Sequence, residues 1–357
     1  MYDQGAVSRP AAQPEKQLVR IKLLPGLDGE NRLKICIRGA RGSIPTPISS
    51  AEIAEKIADV LWTTQGRAFA GKEEVMEYLR SLPLMQTGTV GGNTACIEVR
   101  QGEEPVVLDA GTGIRSLGSD LMKGPCGKGK GVVHLFMSHT HWDHIIGFPF
   151  FQPAYVRGNR IIVYGVHDEL QKRFEIQQNP LYFPVPLSAM PAEIEFRQIR
   201  EGESFAIGSL RIRTMELHHP GKAYAYRIED DTGSFVYATD GEYKDLSQAM
   251  MRPCLDFFRD ADILIFDSQY TFHETMLKEA WGHSSSIIGM DIAVAAGVRH
   301  FLMFHHEPAN QDKRILNLLE ETRRYCRHAH PQARCVVNLA CEGIVLDPSE
   351  PPMEIAF

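Results

Sequence analysis

The 357-residue chain contains no apolar run of the roughly 18–20 residues that a membrane-spanning helix needs, so no membrane span is expected. Residues 1–16 lack the apolar stretch of a secretory signal and read as a flexible leader. Positive charge is not in excess. Lys and Arg number 38 against 45 Asp and Glu, and the net charge of −7 argues against a broad nucleic-acid surface, while leaving room for a local basic patch. The seven cysteines are odd in number and include no Cys-x-x-Cys pair. That disfavours a disulfide framework or a thiolate metal site and suits buried free thiols in a reducing cytoplasm. Gly111-Thr112-Gly113 lacks the spacing of a nucleoside-triphosphate loop. Internal repeats, low-complexity tracts and clear linkers are also missing, so a single domain over residues 1–357 is expected.

What the chain does have is an unusual density of histidine. Ser138-His139-Thr140-His141-Trp142-Asp143-His144 directly follows the short apolar run 132–137, which reads as a buried strand. Imidazole is the commonest metal ligand, and carboxylate is the usual oxygen partner for zinc or manganese. In an extended loop His139 and His141 point to one side, leaving Asp143 and His144 to address a second position. Two metals about 4 Å apart suit hydrolysis of a phosphoryl or acyl centre. A chance run of polar surface residues fits this density and order poorly.

Histidine or aspartate recurs just past strand after strand. The expected strand 105–108 leads into Asp109, which could accept a hydrogen bond from a ligand histidine or simply stabilise its turn. Strand 210–216 leads to His218-His219-Pro220-Gly221, strand 234–238 to Asp240, strand 263–266 to Asp267-Ser268-Gln269-Tyr270, and strand 300–304 to His305-His306. Trp281-Gly282-His283-Ser284-Ser285 opens a helix running to about residue 296. Residues 49–86 form a two-helix insertion: Ser49 and Glu52 make a capping box, with Ile53, Ile57, Val60 and Leu61 at helical spacing. A lid beside the site and an ornament on the rim are equally good readings of it. Tyr182-Phe183-Pro184-Val185-Pro186 could wall a pocket, although plain packing is the commoner fate of such a loop. On the expected C-terminal helix, Lys313, Arg314, Arg323, Arg324 and Arg327 form a solvated basic face, with guidance of an anionic substrate as the less favoured reading.

With these residues in view, the chain resembles the metallo-β-lactamase-fold hydrolases from about residue 38 to 308, excepting the insertion. The resemblance rests on His139-x-His141-x-Asp143-His144, with His219, Asp240 and His305 following in the family's order. It implies an α/β fold, a four-layer αβ/βα sandwich of two mixed β-sheets with outer helices. It implies two divalent metals, Zn2+ first and Mn2+ second: His139, His141 and His219 on one, Asp143, His144 and His305 on the other, and Asp240 bridging. His219 is preferred to His218 for the His-Pro-Gly form, and His305 to His306 for its place directly after the strand.

The bridging aspartate together with Gly282-His283-Ser284-Ser285 resembles the phosphodiesterase branch. The Gly91-Gly92-Asn93-Thr94, Asp109-to-Gly113 and Phe304-His305-His306-Glu307-Pro308 forms look most like cyclic-nucleotide and phosphonate-pathway cyclic phosphodiesterases. The implied activity is attack of a metal-bridging hydroxide on a small cyclic phosphodiester. Asp143 and Asp240 then belong to the catalytic centre, and His283 is the proton donor to the leaving group; alternatively His283 is a mere neighbour of a helix cap. A transfer-RNA 3′-end nuclease is the alternative function, with nucleic acid less favoured because no glycine- and proline-rich arm is present. A lactone or thioester hydrolase on the same metals is a third reading, and a binding module that has kept the fold a fourth. A homodimer is implied, although no stretch marks its interface.

Overall fold

The computed structural model describes residues 32–102 and 104–357. The expected leader 1–16 and an expected strand over 18–24 lie outside the described residues.

The apolar runs become strands, and they collect into two sheets. The first holds β1 (Lys34–Gly39), β2 (Cys96–Arg100), β3 (Val106–Leu108), β4 (Val132–Phe136), β5 (Arg160–Gly165) and β6 (Glu193–Gln198). The second holds β7 (Ser204–Ile207), β8 (Leu210–Leu217), β9 (Ala223–Glu229), β10 (Ser234–Ala238), β11 (Ile263–Asp267), β12 (His300–Phe304) and β13 (Val336–Leu339). A short β14 (Val345–Leu346) returns to the edge of the first, giving the orders β14-β1-β2-β3-β4-β5-β6 and β13-β12-β11-β10-β9-β8-β7. Both sheets are mixed as expected. The first is antiparallel from β14 to β3 and parallel from β3 to β6. The second is antiparallel from β7 to β10 and parallel from β10 to β13.

Parallel neighbours need crossovers, and most of these are helical. Gly113–Leu121 links β3 to β4, Leu170–Gln177 links β5 to β6, and Gln248–Phe258 links β10 to β11. Ser286–Ala295 and Asp312–Ala329 follow β11 and β12. Between the sheets lies a continuous apolar core. Phe136 stacks on Tyr164 with ring centroids 4.4 Å apart and meets the edge of Tyr226, from the other sheet, at 5.5 Å. Polar tips close the same layer: Tyr226 donates to the Met137 carbonyl, and Tyr237 to the Asp109 carboxylate, both at 2.8 Å. Burial of each such ring contributes roughly 1.5–3 kcal/mol.

This topology aligns strand ends. Parallel strands finish at one edge, and β8 runs in the same sense as β10 because two antiparallel pairings separate them. The residues just past β3, β4, β8, β10, β11 and β12 therefore meet at one rim of the sandwich.

The Ser49–Glu52 capping box forms, starting the helix Ser50–Thr63. A second helix, Lys72–Ser81, follows, then a turn at Leu84–Thr87. Among the described residues, nothing buries the expected apolar stripe. No residue of the two longer helices is buried, and Ile53, Ile57, Leu61 and Trp62 are exposed. Lys56 tethers the pair, donating to the Met85 carbonyl at 2.6 Å and pairing with Asp312 at 3.0 Å. A second expectation fails at Arg323, which is buried. It donates to the Val337 carbonyl and the Asn338 side chain, so it braces β13 and does not belong to a solvated basic face.

Candidate metal centre

Three of the strand-end residues hold left-handed backbone that side chains rarely adopt: Asp109 (φ 61°), Asp240 (φ 56°) and His305 (φ 60°). Such strain costs about 1–3 kcal/mol each and persists where the surroundings over-determine it. Here it turns each side chain sharply off its strand into the rim.

After β4, His139 and His141 project from extended chain with ring centroids 4.6 Å apart. A single helical turn, Trp142–Ile145, then swings Asp143 and His144 inward, and both are buried. His219 arrives from the β8 end, its Nε2 3.0 Å from His141 Nδ1. Asp240 lies between two sets of nitrogens. Its Oδ1 is 3.8 Å from His139 Nε2 and 3.9 Å from His219 Nε2, while its Oδ2 is 3.2 Å from His144 Nε2 and 3.4 Å from His305 Nε2. Asp143 Oδ2 is 3.0 Å from His305 Nε2 and 3.3 Å from His144 Nε2. Every candidate named from the sequence is thus in one cluster. His218 is exposed and outside it; His306 is buried but spends its Nε2 on the Ala340 carbonyl.

The cluster fits divalent cations. Ligands about 2 Å from one ion lie roughly 3.3 Å from one another, close to the spacings here. Ligand-competent atoms fall into overlapping groups: His139, His141 and His219; His139, His144 and Asp240; Asp143, His144 and His305; and Asp240, Asp267, His283 and His305. His139 Nε2 and His144 Nε2 are buried with no hydrogen-bond partner among the described residues, which is costly unless something else occupies them.

Four of the ring nitrogens that face away from the cluster have partners. His144 Nδ1 donates to Asp109 at 2.8 Å, His219 Nδ1 to the Gly282 carbonyl at 2.8 Å, and His305 Nδ1 to Gln269 Oε1 at 2.9 Å. Ser138 Oγ lies 3.1 Å from His139 Nδ1. These bonds fix the ring orientations so that Nε2 of His144, His219 and His305 faces inward. Asp109 also accepts from Ser138 N and Oγ, both at 2.7 Å, so it performs the orienting task considered for it. Ser43 N donates to Asp143 Oδ2 at 2.7 Å. Two glycines make the fit tight: a Cβ on Gly42 would lie 2.5 Å from the His305 ring, and one on Gly282 (φ +84°) only 2.1 Å from the His219 ring.

Electrostatics divide the cluster. Burial holds His139, His141 and His219 below the ordinary histidine value, so they are neutral donors. Burial also opposes charge on His144, but the Asp143, Asp240 and Asp109 carboxylates overcome it and lift that imidazole well above the usual range. Burial likewise opposes charge on Asp143 and Asp240, and the surrounding imidazoles win, holding both well below it. A proton thus occupies a place that a cation would take, and binding would release it.

His283 reaches the cluster from the loop before Ser286–Ala295. Its Nδ1 donates to Asp267 Oδ2 at 2.7 Å, and its ring stacks on His305 at 5.0 Å. Burial opposes its charge, yet Asp267 lifts it to about 9. Asp267 and Gln269 were seen in the sequence only as residues after a strand. Their tasks were not assigned there, although the recurrence of polar residues past strand ends marked the position.

Residues 105–306 match the family model described as a β-lactamase superfamily domain. Ribonuclease Z of Thermoplasma acidophilum is 25% identical over 241 residues, 54% of this chain and 74% of that protein. Among solved structures, the metallo-β-lactamase fold protein YhfI from Bacillus subtilis superposes with a TM-score of 0.59 at 18% identity, covering 89% of this chain and 100% of that one. Unliganded yeast PDE1 also gives 0.59, at 12% identity, over 89% and 100%. At these identities the two structures speak for the fold alone.

Proposed function

The chain belongs to the metallo-β-lactamase-fold hydrolases, and from that premise we propose that it is a dinuclear-metal phosphodiesterase acting on a cyclic nucleotide or a similar small cyclic phosphodiester. The observation that carries the reading is Asp240 between two sets of imidazole nitrogens, with the Asp267–His283 pair beside it. His139, His141 and His219 would hold one cation, Asp143, His144 and His305 the other, and Asp240 both. Two cations there would supply Lewis acidity toward phosphoryl oxygens and a site where water ionises near neutral pH.

The chain's own residues do the rest. Asp267 accepts from His283 Nδ1, which favours the protonated imidazole and leaves Nε2 as the nitrogen that donates. His283 then gives a proton to the departing alkoxide, help of the kind worth about 10² to 10⁴ in rate. Asp109, Gln269 and the Gly282 carbonyl hold His144, His305 and His219 in single orientations, so no reorganisation accompanies the reaction. We take the chain as one hydrolase domain, with 49–86 inserted into it.

A second reading is RNA 3′-end processing, favoured by the similarity to ribonuclease Z. Turnover of 3′,5′- and 2′,3′-cyclic nucleotides, dinucleotides and unprocessed transfer RNA tests both. Cyclic-nucleotide cleavage is expected; cleavage of transfer RNA alone would replace the first reading with the second.

A further inference from the structure

All three tryptophans are exposed: Trp62 (74%) lies on the helical insertion, while Trp142 (80%) and Trp281 (62%) lie beside the metal-centre loops. Indoles usually bury most of their large surface, so an exposed one next to a reactive centre calls for an occupant. Around Trp281 the surroundings are specific. The Lys278 ammonium sits 4.0 Å from the Tyr270 ring centroid and 5.7 Å from that of Trp281. Tyr270 is buried, and its ring meets His283 edge-on at 5.6 Å. Lys278 is also 4.0 Å from Glu307 Oε2, which accepts from the same Gln269 that orients His305.

The turn that carries this group is built, not loose. Glu274 caps the helix Phe272–Leu277 through a capping box with Thr271. The Trp281 amide donates to the Lys278 carbonyl at 3.2 Å, and the Ala280 amide to Glu242 Oε1 at 2.9 Å. A cation and an exposed aromatic face are therefore held together on the side of the centre where His283 protonates the leaving group. Their chemistry matches a group with both a flat π-system and negative charge.

Resting on the phosphodiesterase reading, we propose that Trp281 and Lys278 form a nucleobase subsite, Trp281 stacking the base of the substrate nucleotide and Lys278 facing the negative charge of its phosphate. The substrate is then a nucleotide and not a base-less phosphodiester. Stacking of one base on an aromatic side chain contributes enough to change binding by roughly 5- to 150-fold.

Binding of adenosine 5′-monophosphate and of ribose 5-phosphate to the Zn2+-loaded protein, by calorimetry, tests this. Wild type is expected to bind the adenosine compound about tenfold more tightly or better, Trp281→Ala to lose that margin, and Trp281→Phe to keep most of it, with metal content unchanged in both variants. Equal affinity for the two compounds in wild type, or a margin that survives Trp281→Ala, overturns the subsite and makes the exposed indole a contact for something else, such as a protein. Turnover of bis-p-nitrophenyl phosphate is read separately: its absence overturns the phosphodiesterase reading, while its presence without a base margin overturns only the subsite.

Discussion

The Asp109 carboxylate lies 2.8 Å from His144 Nδ1 and also receives Ser138 and Tyr237, so one buried anion ties both sheets to the metal centre. Asp109→Asn removes its charge and leaves its shape. Asparagine tolerates the positive φ at this position, so the backbone is not the cause of any effect. Metal affinity should fall by about 10- to 100-fold, read by metal content after dialysis against graded chelator. Affinity equal to wild type would remove Asp109 from the orienting role.

Gln269 does for His305 through an amide what Asp109 does for His144 through a carboxylate. Gln269→Ala should leave the fold intact and cost occupancy of the position that His305 serves, so that metal analysis finds closer to one ion per chain than two at limiting metal. Two ions bound as tightly as in wild type would contradict this.

Gly282 supplies the carbonyl that fixes His219, at a backbone angle and a distance that exclude a side chain. Gly282→Ala should cost about 1–3 kcal/mol and displace His219, lowering both the melting temperature and the metal content. A variant that melts like wild type and keeps its metal would show that the loop yields freely.

Far from the centre, His300 predicts acid sensitivity. Burial pushes it down to about 4. The Asn338 amide nitrogen donates to its Nε2 at 2.8 Å, and Asn338 Oδ1 is already taken by Arg323 and Ile355, so the amide cannot flip to welcome a proton. The unfolded chain binds the proton from about pH 6.5 downward and the folded chain only near pH 4. Stability from this group is therefore complete above pH 6.5 and is lost as pH falls from there toward 4, up to about 3 kcal/mol. His300→Gln should flatten that part of the stability-against-pH curve relative to wild type, measured by urea melts. Parallel curves would exclude His300.

How much of this was legible follows from where each signal is stored. His139 to His144 are neighbours in sequence, and chain order alone reveals them. His219, Asp240 and His305 were readable because each directly follows an apolar strand. Asp267 and Gln269 act only through residues the fold brings near, so nothing local named their tasks. The helix Gly113–Leu121 was missed because its first residues read as a glycine turn, and Gln248–Phe258 because Pro253 interrupts the pattern. The capping box at Ser49 placed the start of Ser50–Thr63 correctly. Helical spacing cannot say whether a partner covers the apolar face, and Ile53, Ile57 and Leu61 are bare. Arg323 shows the converse, a charge in a basic-looking run that the fold buries.

The central claim, phosphodiester hydrolysis by this cluster assisted by His283, is tested most directly by His283→Ala with metal content and turnover of bis-p-nitrophenyl phosphate and 2′,3′-cyclic nucleotides measured on the same sample. The account predicts two ions per chain retained and turnover of the cyclic nucleotides reduced about 10²- to 10⁴-fold, with a smaller loss for p-nitrophenolate, which needs no proton to leave. Unchanged cyclic-nucleotide turnover at full metal content, or wild-type protein that cleaves a chromogenic carboxylic ester and no phosphodiester, would contradict it.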